Sequence, residues 1–211
     1  MKIQAVIFDF GGVICFPPSP EQWQEAASFC GCDASAFQAA FWEGRDGYDA
    51  GEDPRLYWRS VGVRLGRNFD DAAIDALIER EIRFWSRFDD RVLGWARNLR
   101  SHGVRTGILS NLPRPLGEHL KTLPGFLNHF DEITFSYELG VVKPDAPIYR
   151  SAIGGLSIDP AEALFLDDRP SNVEGARAVG LSAEIFTTWE DFLAKDREKH
   201  GLPAPSLGHE R

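Results

Sequence analysis

Apolar residues gather in five short runs along the chain, at residues 5–10, 105–110, 132–135, 163–166 and 182–185. The first four are nearly continuous, as in strands covered on both faces, where a half-exposed strand would alternate. From about residue 89 onward the runs are separated by stretches of helical periodicity. Gly103 and Gly180 close two of these just before the next strand, the place where a left-handed residue ends a helix. Repeated βα units of this kind predict an α/β fold, a doubly wound parallel sheet with helices on both faces.

One interval breaks the alternation. More than ninety residues separate the first run from the second, and they carry helix signals and no strand pattern. Ser19, Pro20 and Gln22 read as an N-cap, a proline in the first helical position and a capping-box partner. Asp33 heads a second stretch over 34–42, and from Asp70 the residues Ile74, Leu77, Ile78, Ile82, Trp85 and Phe88 recur at three- and four-residue spacing. Residues 15–88 are therefore expected to form a helical insertion of about four helices. A core of residues 1–14 and 89–195 would surround it in sequence, with hinges at Pro17, Pro18 and Pro20 and at Phe88-Asp89-Asp90. The polar, Pro/Gly-rich stretch 196–211 reads as a frayed tail.

Composition narrows the function classes. With 43% hydrophobic and 26% charged residues, 15 Phe and 6 Trp, the chain has ample core material for its 211 residues. A net charge of -9 argues against nucleic acid as a partner, although a locally positive site can still hold a small anion. Cys15, Cys30 and Cys32 offer no four-ligand zinc set, and the five His residues have no ligand spacing. The three cysteines read as reduced thiols of a cytoplasmic protein. The apolar stretch at the N-terminus is shorter than a signal or membrane segment, so no membrane partner is expected. The sequence does not fix an oligomeric state.

In open parallel sheets, ligands bind beyond the carboxyl ends of the strands. After the first run come Asp9, Gly11 and Gly12; after the second, Ser110 and Asn111; beyond the third, Lys143 and Pro144; after the fourth, Asp167 and Asp168. Three carboxylates brought to one edge repel one another unless a cation sits among them, and an all-oxygen donor set suits Mg²⁺. A lysine and a Ser-Asn pair beside it suit a phosphate.

These four segments, in this order and with a helical insertion after the first, resemble the motifs of the haloacid dehalogenase superfamily with an α-helical cap. The resemblance extends to about residue 195. It implies a sheet of strand order 5-4-1-2-3 and a Mg²⁺-dependent hydrolase of small phosphate esters. Asp9 would be the nucleophile, forming an aspartyl-phosphate. Mg²⁺ would be held by Asp9, the Gly11 carbonyl and Asp168, with Asp167 and Asn172 behind through water. Ser110 and the backbone at Asn111 would bind the phosphoryl oxygens, and Lys143 would offset their charge.

One position departs from the pattern. Phosphatases of the family usually carry a second Asp two residues after the nucleophile as general acid and base, and here that position is Gly11. Either basic leaving groups are cleaved slowly or another residue supplies the proton. The departure also keeps open dehalogenation of a short 2-haloacid, which needs neither acid nor Mg²⁺, and a weakly catalytic, phosphate-binding regulatory domain. In the insertion, the turn-rich stretch 41–51 is expected to be a loop over the site, with Arg45 as its substrate contact. Trp42 and Trp58 are expected in the cap's own core.

Overall fold

The computed structural model describes residues 2–205. Five parallel strands, β1 (Ala5–Phe8), β2 (Arg105–Ser110), β3 (Glu132–Phe135), β4 (Ala163–Asp167) and β5 (Ser182–Ile185), form one sheet in the order β3-β2-β1-β4-β5. This is the expected doubly wound arrangement. The central strand is two residues shorter than its apolar run. Asp9 still donates its amide to the Leu166 carbonyl, but its own Oδ1 then accepts from the Phe10 amide at 2.7 Å. A side chain has taken over a backbone donor, and the ladder stops there.

In the inserted segment lie α1 (Pro20–Cys30), α2 (Ala34–Trp42), α3 (Arg45–Asp49), α4 (Pro54–Arg64) and α5 (Asp71–Phe84). Along the rest of the chain follow α6 (Asp90–Ser101), α7 (Arg114–Thr122), α8 (Ser136–Leu139), α9 (Ala146–Leu156), α10 (Pro170–Ala178) and α11 (Trp189–Lys199). Ser19 and Gln22 form the anticipated capping box, and Asp33 and Asp70 cap α2 and α5. Two expectations are corrected here. The stretch 41–51 is not an open loop but contains the turn-and-a-half of α3, entered through Gly44 in the left-handed region at φ 75°. The last helix of the insertion ends at Phe84 rather than running to Phe88. Residues 86–89 turn back because Phe16 donates to Arg87 O and Asp89 donates to Ile14 O, both at 2.8 Å. The two crossings between insertion and sheet are thus hydrogen-bonded to each other as a neck.

Strand alternation divides the core. Val6, Phe8, Ile108, Leu164 and Leu166 face one side, against Trp95, Leu99, Leu116 and Phe192. Ala5, Ile7, Leu109 and Phe165 face the other, against Ile148, Tyr149 and Ile153. A third cluster is drawn from the insertion, with Trp23, Phe37, Phe41, Tyr48, Tyr57, Trp58, Leu77 and Phe84 at its centre. Each such side chain contributes roughly 1.5–3 kcal/mol by leaving water. The partly buried Trp85 packs against both this cluster and the one on the sheet.

The tail is also corrected. α11 runs through 196–199, Leu202 is buried, and the indole of Trp95 donates to Pro203 O at 3.0 Å. Asn98 donates to Ala204 O at 2.6 Å, so residues up to 204 are tied to α6; positions 206–211 lie outside the described residues. Among the described residues no helix is long and apolar enough to cross a membrane.

Candidate active site

The carboxyl edge of the sheet gathers the predicted residues, because β1, β2 and β4 are in register and end together. Asp9 leaves β1 into a buried position, 6% exposed. Lys143, from the segment after α8, reaches back beneath the edge. Its Nζ lies 2.8 Å from Asp9 Oδ1 and 2.7 Å from Asp167 Oδ2, and donates to the Leu109 carbonyl at 3.0 Å. Burial opposes the charge on Lys143, but Asp9 and Asp167 outweigh it, and the ammonium is held above its ordinary range. Burial drives Asp9 the other way. Its carboxyl is pushed up from 3.8 to about 7, with Lys143 resisting and Asp167 adding to the rise.

The three acids divide their duties. Asp167 is fully buried, and both its oxygens are taken up by protein donors: Lys143 Nζ, the Arg169 amide at 2.8 Å and Asn172 Nδ2 at 3.0 Å to each oxygen. Asn172 is itself fixed by Tyr149, whose hydroxyl donates to its carbonyl at 2.8 Å. Asp168 opens instead into the cavity above the edge. Carboxylate oxygens of Asp9, Asp167 and Asp168 all lie within 4.8 Å of one another, and with Asp167 engaged by protein donors, Asp9 and Asp168 are the two left to face a hard divalent cation such as Mg²⁺. Gly12 makes room for this approach. It sits at φ +79°, and a Cβ there would meet Asp168 Oδ2 at 2.6 Å.

Ser110 ends β2 facing the same cavity, and Asn111 lines it too. The Asn111 side chain, however, is spent on Lys143: its Oδ1 accepts from the Lys143 amide at 2.7 Å and its Nδ2 donates to the Lys143 carbonyl at 3.0 Å. It locks the lysine segment to the β2 turn.

The cavity has a volume of about 530 Å³ and is roofed by the insertion, with Trp23, Trp42, Arg45, Asp46, Asp49 and Trp85 among its lining. Arg45 is therefore at the expected place but not in the expected state. It is 8% exposed, its Nε on Asp49 Oδ1 at 2.8 Å and its Nη1 on Glu81 Oε1 at 2.5 Å. Trp58 is buried as anticipated, whereas Trp42 is 47% exposed on the cavity wall and does not belong to the cap core. Sequence reasoning missed Asp49 and Trp85. Asp49 carries no motif, and Trp85 fitted the apolar stripe of α5 so well that nothing marked it as a site residue.

Trp85 packs closely over Gly11. A Cβ built on Gly11 would meet Trp85 Cζ3 at 3.0 Å, while Gly11 has no positive φ. Space rather than backbone torsion is what a side chain here would strain, because the Trp85 indole would have to give by a few tenths of an ångström to admit it. Gly11→Asp should therefore lower the melting temperature by roughly 2–12 °C, the range for about 1–3 kcal/mol of overpacking. Pairing it with Trp85→Ala should remove most of that additional loss. Calorimetry on the double-mutant cycle checks this; equal costs of Gly11→Asp in both backgrounds would show that the two residues are independent.

A family model for haloacid dehalogenase-like hydrolases matches residues 3–180. The chain belongs to this family. Among curated relatives, it is 28% identical over 222 residues to the bifunctional epoxide hydrolase 2 of Sus scrofa, covering 94% of this chain and 39% of that protein. The chain thus spans well under half the length of that relative. It is 27% identical to the sesquiterpene phosphatase astK of Aspergillus oryzae, covering 84% of this chain and 87% of that one. Two solved structures share its fold. A family enzyme of Bacteroides thetaiotaomicron, solved with magnesium and inorganic phosphate, matches with TM-score 0.65 and 22% identity, covering 87% of this chain and 93% of that one. The L-2-haloacid dehalogenase of Xanthobacter autotrophicus matches with TM-score 0.66 and 20% identity over 96% of this chain and 85% of that one.

Proposed function

We propose that this hydrolase is a Mg²⁺-dependent phosphatase of small phosphorylated metabolites, working through an aspartyl-phosphate on Asp9. The observation that carries the reading is the division among the acids. One carboxylate, Asp9, sits on Lys143 and faces the cavity; a second, Asp168, opens beside it; the third, Asp167, is turned inward to fix the lysine. Displacement of halide by Asp9 would need no metal, whereas attack on a phosphate dianion needs added positive charge, which a cation between Asp9 and the open Asp168 would supply. The phosphatase relative and the fold neighbour solved with magnesium and phosphate support the same choice.

Asp9 would attack phosphorus in line, with Ser110 and the Asn111 backbone positioning the phosphoryl oxygens. Lys143 would offset the charge that builds between two anions approaching each other. Asp9, Asp168 and the Gly11 carbonyl would hold Mg²⁺, which when bound supplies positive charge to the phosphoryl oxygens. Arg45 would act from the cap wall as a fixed charge, since two of its nitrogens are engaged by Asp49 and Glu81. The cavity of about 530 Å³ suits a small metabolite, and its Trp42 and Trp23 faces suit the apolar faces of a ring.

A panel of phosphate esters and 2-haloacids, assayed with and without Mg²⁺, tests this. Turnover of esters only with Mg²⁺ is expected, and Asp168→Ala should raise the Mg²⁺ concentration needed for half-maximal rate at least tenfold. Metal-independent release of halide with no ester turnover would replace the phosphatase by the dehalogenase. Inertness on both substrate classes would favour a binding domain.

A further inference from the structure

The reaction just proposed lacks a proton donor at position 11, yet the cap places a buried carboxyl on the wall of the same cavity. Asp49, the last residue of α3, is 6% exposed and lines the cavity along with Asp9 and Ser110. It is anchored to the sheet rather than merely hanging from the cap. The buried Ser136 hydroxyl, at the start of α8, donates to the Asp49 carbonyl at 2.5 Å and accepts from the Leu112 amide at 3.0 Å. Leu112 follows directly on Ser110 and Asn111. One serine therefore ties the Asp49 backbone to the turn assigned to the phosphoryl group.

The surroundings of Asp49 favour a proton on it. One guanidinium, Arg45, stands between two buried carboxylates, Asp49 and Glu81. With both ionised the trio carries an excess negative charge in a place where water cannot offset it. Glu81 has a donor on each oxygen, Arg45 Nη1 on one and the Tyr48 hydroxyl on the other at 3.0 Å. Among the described residues, the one hydrogen bond to the Asp49 carboxylate comes from Arg45 Nε to Oδ1. Asp49 is the less satisfied of the two carboxylates, so a proton on it relieves the excess charge at the least cost in hydrogen bonds. Consistently, burial pushes the Asp49 carboxyl up to about 6, Arg45 pulling it down and Glu81 and Asp46 adding to the rise. Tyr57 on α4 and Tyr48 on α3 complete the ionisable groups around the trio.

We infer that Asp49 is the general acid and base of the reaction, supplying from the cap the proton that Gly11 cannot. This rests on the phosphatase reading above. As Asp9 forms its bond to phosphorus, the bond from phosphorus to the leaving oxygen breaks, and that oxygen takes both bonding electrons and the proton of Asp49. Arg45, already on Oδ1 of Asp49, offsets part of the resulting charge. In the second half, a water oxygen attacks the phosphorus of the aspartyl-phosphate and gives its proton to Asp49. The bond to Asp9 breaks, freeing phosphate and returning both carboxyls to their starting states. The trio explains a buried ion pair that cap stability does not require, because apolar residues of similar volume would serve there as well.

The test is a leaving-group series at fixed Mg²⁺ on wild type, Asp49→Asn, Asp49→Glu and Glu81→Gln, with melting temperatures recorded for each. Asp49→Asn should lose roughly 10²–10⁴-fold in kcat/KM on alkyl phosphates, the usual worth of general acid catalysis, and less than about tenfold on aryl phosphates whose phenolate leaves unaided. The alkaline limb of the wild-type pH profile should appear with alkyl esters and vanish in Asp49→Asn. Asp49→Glu should restore part of the alkyl rate. Glu81→Gln, which removes a negative neighbour and leaves Asp49 in place, should move the alkaline limb to lower pH. Parallel losses on alkyl and aryl esters, or an alkaline limb indifferent to both positions, would overturn the assignment while leaving the phosphatase standing. A wild type inert on every ester would overturn the phosphatase reading, and this assignment with it.

Discussion

Replacing Asp9 by Asn should cut turnover of every substrate to less than about one per cent of wild type, in a protein that still folds. The side chain keeps its shape but loses the attacking charge. What makes the prediction sharp is that stability should move in the opposite direction. Burial raises the Asp9 carboxyl from 3.8 to about 7. A folded-state value above the unfolded one means that the folded chain binds the proton more tightly, so ionising Asp9 costs stability as pH rises between those values. The neutral Asn has no such cost. Without metal, Asp9→Asn should melt above wild type at about pH 8, with the gap shrinking toward about pH 4. Melting curves across this range, beside rates on the preferred ester, check both halves. A variant that keeps a tenth of the wild-type rate would remove Asp9 from the nucleophile's role. One that melts lower at high pH would show that the carboxylate is a structural necessity.

Lys143→Met should do the reverse, lowering stability and activity together. The ammonium is the group shared by Asp9 and Asp167, at 2.8 and 2.7 Å, and both of those side chains are buried. Removing one partner from such a cluster leaves uncompensated charge and costs about 3–5 kcal/mol, or about 6–20 °C in a chain of this size. The sign of its pH dependence follows. Without the lysine the Asp9 carboxyl is raised further in the folded state, so the deficit relative to wild type is largest at high pH and narrows on acidification. Mg²⁺ should recover part of the melting temperature, because a dication bound by Asp9 and Asp168 replaces some of the missing charge. A Lys143→Met protein as stable as wild type at neutral pH would mean that the acids are already neutral and that the charge argument at this edge is wrong.

Much of this site was legible in the order of the residues. Strand-end positions are set by local pattern: an apolar run ends, a short polar or glycine-bearing segment follows, and in a parallel sheet all such segments emerge at one edge. Asp9, Ser110, Lys143, Asp167 and Asp168 could be placed together on that ground, and the structure brings them together. Helix caps such as Ser19, Asp33 and Asp70 are equally local, since a single side chain answers an amide two or three residues away. Local pattern was less reliable at boundaries. The early stop of β1 depends on Asp9 accepting from its neighbour's amide, and the early stop of α5 on hydrogen bonds to residues 14–16, some seventy positions distant.

The sequence by itself thus determined the α/β class, the edge at which chemistry gathers and the helical character of the insertion, because each follows from periodicity over a few residues. Only the tertiary structure decided how the insertion's side chains are used. Arg45 looked like a free cation over the site and is instead spent on Asp49 and Glu81; Trp42 looked like core and lines the cavity. Trp85 looked like one more apolar position of a helix and instead packs closely over residue 11 on the cavity wall. Asp49 had no pattern at all. Its role rests on burial, on a guanidinium shared with a carboxylate 32 positions away, and on a serine hydroxyl 87 positions away. Those contacts come from the packing of cap on core, and no spacing along the chain encodes them.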